Sequence, residues 1–243
     1  MQLAAHLHRL GSSSLVNSYL IEDAGALTVI DAGLPGLRND LLRELESMGK
    51  TPADIKALLL THGDVDHVGF AERLRREHGV PVYVGAADAA EARGEVPKPD
   101  APRDPMRIGP LLGFMWFGLT HGGLRRTPVK EVTPIDGAGT LDVPGSPVVV
   151  PLPGHTPGSV AYHLPAVDAV FMGDAMTTRS VVTGVVGPAL GPFTVDPQQA
   201  LASLEALDGL QATWVLPGHG DAWSGGLPEA LRLIRASRME KVA

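Results

Sequence analysis

Cysteine is absent from the 243 residues of this chain. Disulfides, thiolate metal sites and a cysteine nucleophile are therefore excluded, and any metal must be held by nitrogen and oxygen. Positive charge is sparse: the formal net charge is -7 and no basic stripe is present. A nucleic-acid backbone is thus not the expected partner, because nothing is placed to displace its counterions. Arg73, Arg75 and Arg76 read as a solvated helix face, and Arg125 and Arg126 as a loop pair. Long apolar runs are missing too. The longest outside the expected strands, Leu111 to Leu119, falls far short of the ~20 residues that span a bilayer. The N-terminus has no Lys/Arg-led apolar stretch with a small-residue cleavage site, so the expected location is the cytoplasm.

What is present supports a folded enzyme-sized chain. Hydrophobic residues make up 44% and charged residues 19%, enough apolar content for a sizeable core. Val16 to Ile21 and Ala26 to Ile30, joined by Glu22-Asp23-Ala24-Gly25, predict a hairpin. Leu37 to Met48 has helical spacing and stops at Gly49. A strand over Ile55 to Leu60, a helix over Gly69 to His78, a strand over Pro81 to Val84 and a short helix over Ala86 to Arg93 follow. In the second half, strands are expected at 129–135, 148–152, 159–164, 169–172 and 214–216. Helices are expected over Pro197 to Leu207, capped by Asp196, and over Pro228 to Arg238. Each half supplies strands followed by helices, which predicts two sheets packed face to face with helices outside, in one domain spanning 1–243. Residues 94–130 break the rhythm and read as a lid-like insertion, and Met176 to Val195 as a loop flanking the site.

The chemistry concentrates in residues 61 to 69, Thr-His-Gly-Asp-Val-Asp-His-Val-Gly. His62, Asp64, Asp66 and His67 directly follow the apolar run that ends at Leu60. A strand fixes the backbone there, and the loop turns imidazole and carboxylate donors toward one point. Three later segments repeat the arrangement. His155 lies in Pro-Gly-His-Thr-Pro-Gly, Asp174 in Met-Gly-Asp-Ala, and His219 in Pro-Gly-His-Gly, each after an apolar strand. Each alone could be a turn. Together they give four histidines and three aspartates at the C-terminal ends of strands, which gather at one rim of a sandwich.

The pattern resembles that of the metallo-β-lactamase fold superfamily, over nearly the whole chain. The family motif His-x-His-x-Asp-His stands here as His62, Asp64, Asp66, His67, with Asp64 in place of the second histidine. The later ligands match His155, Asp174 and His219, and Asp31 in Val-Ile-Asp-Ala-Gly matches a family aspartate that supports the ligand loop. The resemblance implies a four-layer αββα sandwich with two divalent ions, zinc first and iron or manganese as alternatives. It implies that His62, Asp64 and His155 hold the first ion, that Asp66, His67 and His219 hold the second, and that Asp174 bridges. A carboxylate at position 64 makes the first set harder, which favours iron or manganese. The implied reaction is metal-assisted hydrolysis, a hydroxide between two ions attacking a small-molecule ester, thioester or lactone. Asp66 is then the candidate proton shuttle, His62 a ligand at the reacting centre, and Asp31 the residue that orients a ligand imidazole.

Other histidines read as structural: His6 and His8 as surface positions of an N-terminal strand, His78 at a helix end, His163 in a strand. Phe114, Trp116, Phe117 and His121 in the insertion are candidates to line the substrate pocket. Leu111 to Leu119 is alternatively a dimer contact, so monomer and homodimer both remain open. Two other functions stay in view. His62, His155 and Asp174 form a two-His-one-carboxylate set suited to a mononuclear iron oxygenase of the persulfide dioxygenase type. A non-catalytic ligand-binding protein with a degenerate site is the other.

Overall fold

The computed structural model describes residues 1–102, 104–124 and 127–239; the Arg125–Arg126 pair lies outside them. The first sheet contains β1 (Gln2–Ala4), β2 (Leu7–Arg9), β3 (Tyr19–Asp23), β4 (Ala26–Ile30), β5 (Ile55–Leu59), β6 (Val82–Gly85) and β7 (Thr133–Ile135), in that spatial order. The β3–β4 turn is made by Ala24 and Gly25, both at positive φ, as a two-residue hairpin requires. From β4 to β7 all neighbours run parallel. Helices α1 (Arg38–Ser47), α2 (Ala71–His78) and α3 (Ala89–Ala92) belong to this half. The α4 helix (Ile108–Thr120) rises from the insertion after the irregular stretch that begins at Gly94.

The second sheet contains β8 (Gly139–Thr140), β9 (Val148–Pro151), β10 (Val160–Leu164) and β11 (Ala169–Gly173). A separate ribbon pairs β12 (Thr177–Arg179) with β13 (Val186–Ala189), and β14 (Trp214–Pro217) completes the second sheet beside β11. Helices α5 (Pro197–Ser203) and α6 (Leu227–Met239) cover its outer face. Asp196 caps α5 by accepting the N–H groups of Gln198 and Gln199.

Strand alternation builds the layers. Tyr19, Ile21, Leu59, Tyr162 and Phe171 point between the sheets, into a cluster fed by both. Their neighbours Leu20, Leu58 and Leu60 face the other way, onto Leu41 and Leu45 of α1 and Leu74 of α2. Val170, Met172 and Val215 face Leu231 and Ile234 of α6 in a third cluster. Three apolar interfaces between four layers define an αββα sandwich, each fully buried large side chain contributing roughly 1.5–3 kcal/mol.

Several expectations are corrected. The Met176 to Val195 stretch is not a plain loop, since it holds the antiparallel β12–β13 ribbon, in which Thr177 pairs with Ala189 and Arg179 with Val186, and the intervening turn includes Gly184 at positive φ. His8 is not a surface residue. The N-terminal strand forms a hairpin, β2 lies inside it beside β3, and Glu44 of α1 meets the His8 ring at 2.8 Å. His6 does sit exposed, in the turn between β1 and β2. The strand expected from Val16 begins at Tyr19, because Asn17 turns inward and its amide donates to the carbonyls of Pro217 and Gly220. The helix expected from Pro197 to Leu207 tightens into a 3-10 turn from Leu204 onward.

Candidate metal centre

Strand directions decide where the polar residues meet. The β9, β11 and β14 strands run the same way, since β9 and β11 are both antiparallel to β10 and β14 is parallel to β11. His155, Asp174 and His219 follow their C-terminal ends. Asp31 and the His62–His67 loop follow the ends of β4 and β5, which are parallel to each other. All of these residues except Asp64 and Asp66 are buried, and those two are half-buried.

Each imidazole is held at Nδ1, which leaves Nε2 for the interior. His67 Nδ1 lies 2.8 Å from Asp31 Oδ2. Asp31 also accepts the Thr61 N–H at 2.8 Å and the Thr61 hydroxyl at 2.8 Å, and that hydroxyl stands 2.9 Å from His62 Nδ1. One carboxylate thus orients two rings, directly and through Thr61. Asp31 has φ 58, a left-handed conformation costly for a residue with a side chain. His155 Nδ1 meets Thr194 Oγ1 at 3.2 Å, and His219 Nδ1 donates to the Leu15 carbonyl at 2.5 Å.

The inward atoms converge. His62, Asp64 and His155 bring one donor atom each within 4.8 Å of one another; Asp66, His67 and His219 do the same, as do His62, His67 and Asp174. Asp174 lies between the first two sets, 3.1 Å from His219 Nε2, 3.6 Å from His67 Nε2 and 3.7 Å from His155 Nε2. His62 Nε2, His67 Nε2 and Asp174 Oδ1 are buried without a hydrogen-bond partner. Such atoms are costly unless something binds them. A nitrogen and oxygen donor set with no sulfur suits zinc, iron or manganese, so the residues present fit the two ions that the fold family implies.

The charges reinforce one another. Burial disfavours charged His67, but the carboxylates of Asp31, Asp174 and Asp66 outweigh it and push the imidazole up to about 10. His219 is buried as well, yet Asp174 and Asp66 raise it to about 9. Burial opposes the Asp174 charge, and the rings of His219, His67 and His155 still hold it well below the usual carboxylate range. Asp64 is likewise held low, against its burial, by His155 and His62. His155 is lowered, chiefly by burial. The cluster is built to stabilise positive charge.

Two residues that escaped the sequence reading complete it. Asp88 is buried after β6 and accepts from the Gly63 N–H at 3.0 Å, the Thr156 hydroxyl at 2.6 Å and the Gly158 N–H at 2.7 Å. It ties the first ligand loop to the His155 loop. Its place at a strand's C-terminal rim was the available signal. Lys98 is the other: its Nζ lies 2.5 Å from Asp64 Oδ2 and 3.0 Å from His155 Nε2. Gly218 admits no side chain, because a Cβ there would stand 2.1 Å from Asp174 Oδ1.

Above the cluster opens a cavity of about 490 Å³ with mostly apolar walls, including Leu34, Val65, Phe114, Leu119 and Phe193. Phe114 also meets the His219 ring edge-on at 5.9 Å. The other three pocket candidates lie elsewhere. Trp116 is 66% exposed on the opposite side of α4. Phe117 packs into the core beside the first sheet. His121 stacks on Phe117 and lines a separate cavity with Asp40 and Arg43. Helical periodicity explains this: Phe114 and Phe117 share the inward stripe, Trp116 does not, and His121 follows Phe117 by four positions.

Comparison with known proteins agrees with this architecture. A family model for the metallo-β-lactamase superfamily matches residues 13–219, and the chain belongs to that superfamily. It is 28% identical over 214 residues to the uncharacterized protein YobT of Bacillus subtilis, covering 84% of this chain and 83% of that one. It is 26% identical over 231 residues to the probable metallo-hydrolase YflN of the same organism, covering 87% and 83%. The crystal structure of TTHA1623 in a di-iron-bound form superposes with a TM-score of 0.60 at 29% identity, over 88% of this chain and 92% of that one. No helix among the described residues is long and apolar enough to cross a membrane.

Proposed function

We propose that the protein is a metal-dependent hydrolase of small-molecule esters, thioesters or lactones that carry an apolar acyl portion. The observation that carries this reading is the convergence of two largely buried nitrogen and oxygen donor sets, with three unpartnered atoms, at the floor of an apolar cavity. Superfamily membership and the likeness to a probable metallo-hydrolase point the same way. When bound, two divalent ions supply an acidified water and polarise a carbonyl oxygen. The di-iron-bound relative makes iron a metal to test beside zinc and manganese.

The chain's own residues do the rest. Asp31, directly and through Thr61, aims His67 and His62, and Asp88 holds the two ligand loops together. Asp66 lines the cavity half-buried, 3.5 Å from His219 Nε2. Its carboxylate is the group placed to take a proton from an attacking water and pass it to the leaving group. The apolar walls bind the acyl chain and keep other water out. Two separate donor sets, linked by a third group that shares His62 with one and His67 with the other, favour the hydrolase over a mononuclear iron oxygenase.

The test is a panel of p-nitrophenyl esters, acyl thioesters and lactones, assayed with chelator-stripped protein and after zinc, manganese or iron is returned. Metal-dependent turnover that improves with acyl length is expected. Turnover that survives complete stripping, or oxygen uptake in place of hydrolysis, refutes it.

A further inference from the structure

We propose that Lys98 is a tethered cation that competes with metal at the His62–Asp64–His155 set, so that the two sets fill in order, the Asp66–His67–His219 set first. The inference rests on the two-metal reading above.

Lys98 Nζ sits 2.5 Å from Asp64 Oδ2 and 3.0 Å from His155 Nε2, and Asp64 Oδ2 and His155 Nε2 are themselves 3.1 Å apart. The ammonium therefore takes up the donor atoms of two of the three residues in that set, leaving only His62 Nε2 open. The other set is different. Among the described residues, the ion pairs of Asp66 and Asp174 are all with histidines. No lysine or arginine has to leave before a metal enters there.

The sequence around Lys98 fits a fixed position. It stands in Val-Pro-Lys-Pro-Asp, with Pro97 and Pro99 on either side. Pro97 has a locked φ, and Pro99 biases Lys98 itself toward extended backbone. Less conformational freedom is then lost in holding the ammonium over the site. The side chain is 21% exposed, so it has a route to solvent when displaced.

The charges fit as well. Asp64 brings a negative charge to a position that would be neutral with an imidazole, and Lys98 neutralises it. A divalent ion entering this set must replace an existing ion pair rather than meet a free carboxylate. Asp64 and Lys98 thus act as a unit that weakens one set relative to the other.

The experiment is calorimetric titration of the stripped full-length protein with zinc, paired with metal analysis after dialysis against limiting zinc. Wild type is expected to show two resolved binding events and to keep fewer than two equivalents. Lys98→Met removes the charge at similar length and should tighten the weaker event by roughly tenfold or more, the scale of a half-buried charge pair. Lys98→Arg keeps the charge and should leave that event weak. If Lys98→Met binds both ions with wild-type affinities, or wild type binds both equally, the inference is wrong and the two-metal reading stands. If neither protein takes up zinc, both are wrong.

Discussion

Asp31 shows what one residue does for this site. It accepts from Thr61 twice and from His67, and it sits at a positive φ that a side chain normally avoids. Strain of this kind persists where surrounding contacts over-determine it. Its charge is also among the carboxylates that raise His67 to about 10, and Asp174 with Asp66 raises His219 to about 9. Both rings therefore carry a proton near neutral pH in the metal-free protein, and both must lose it to ligate. Metal uptake should release protons, and affinity should climb as pH rises from 7 toward 9–10. Calorimetry in buffers of different ionisation enthalpy reads that release. Asp31→Asn should bring His67 down and reduce the protons released at pH 7.5; unchanged release would contradict the assignment. His62, Asp66, His67, His155, Asp174 and His219 were legible as a set because each follows an apolar strand. Lys98 was not, because nothing local tells an acid-facing lysine from a solvated one. Asp88 was hidden in a short apolar helix start.

At the scale of elements, α4 is the part that sequence reading resolves least. Its apolar run announces a helix, yet the stretch is apolar all round, so periodicity does not say which face turns inward. Phe114 and Phe117 take the inner stripe, while Ile108, Leu112, Met115 and Trp116 stay exposed. Of the four residues expected at the pocket, Phe114 lines the cavity above the donor cluster, and Trp116, Phe117 and His121 do not. Phe114→Ala should enlarge the cavity beside His219 and raise KM for long acyl substrates several-fold while leaving short ones nearly unchanged. Losing part of one half-buried apolar wall is worth roughly 1 kcal/mol, the low end of what one methylene contributes to discrimination in a hydrophobic pocket. Equal effects on long and short substrates would argue that α4 supports the fold rather than the substrate.

At the scale of the whole molecule, the αββα sandwich brings together donors from distant parts of the chain. His62 and His219 are separated by most of the sequence, and only the meeting of the C-terminal ends of β5, β9, β11 and β14 makes their donor sets neighbours. The β-then-helix rhythm of each half was readable from apolar runs and turn residues. The β12–β13 ribbon was not, since β12 has only three residues and β13 contains Gly187 and Pro188, which read as a loop until the strands pair. The N-terminal hairpin was missed for a related reason: its buried polar residues, such as His8, find partners on α1 that local sequence does not reveal. The proposed hydrolase needs metal at this rim, held by the two donor sets. Anomalous X-ray scattering from crystals of the zinc- or manganese-loaded protein tests it most directly. A peak bounded by Asp66, His67 and His219 is expected, with a second beside His62 and His155 at higher metal concentration. Peaks confined to surface carboxylates, with the rim empty, would contradict it.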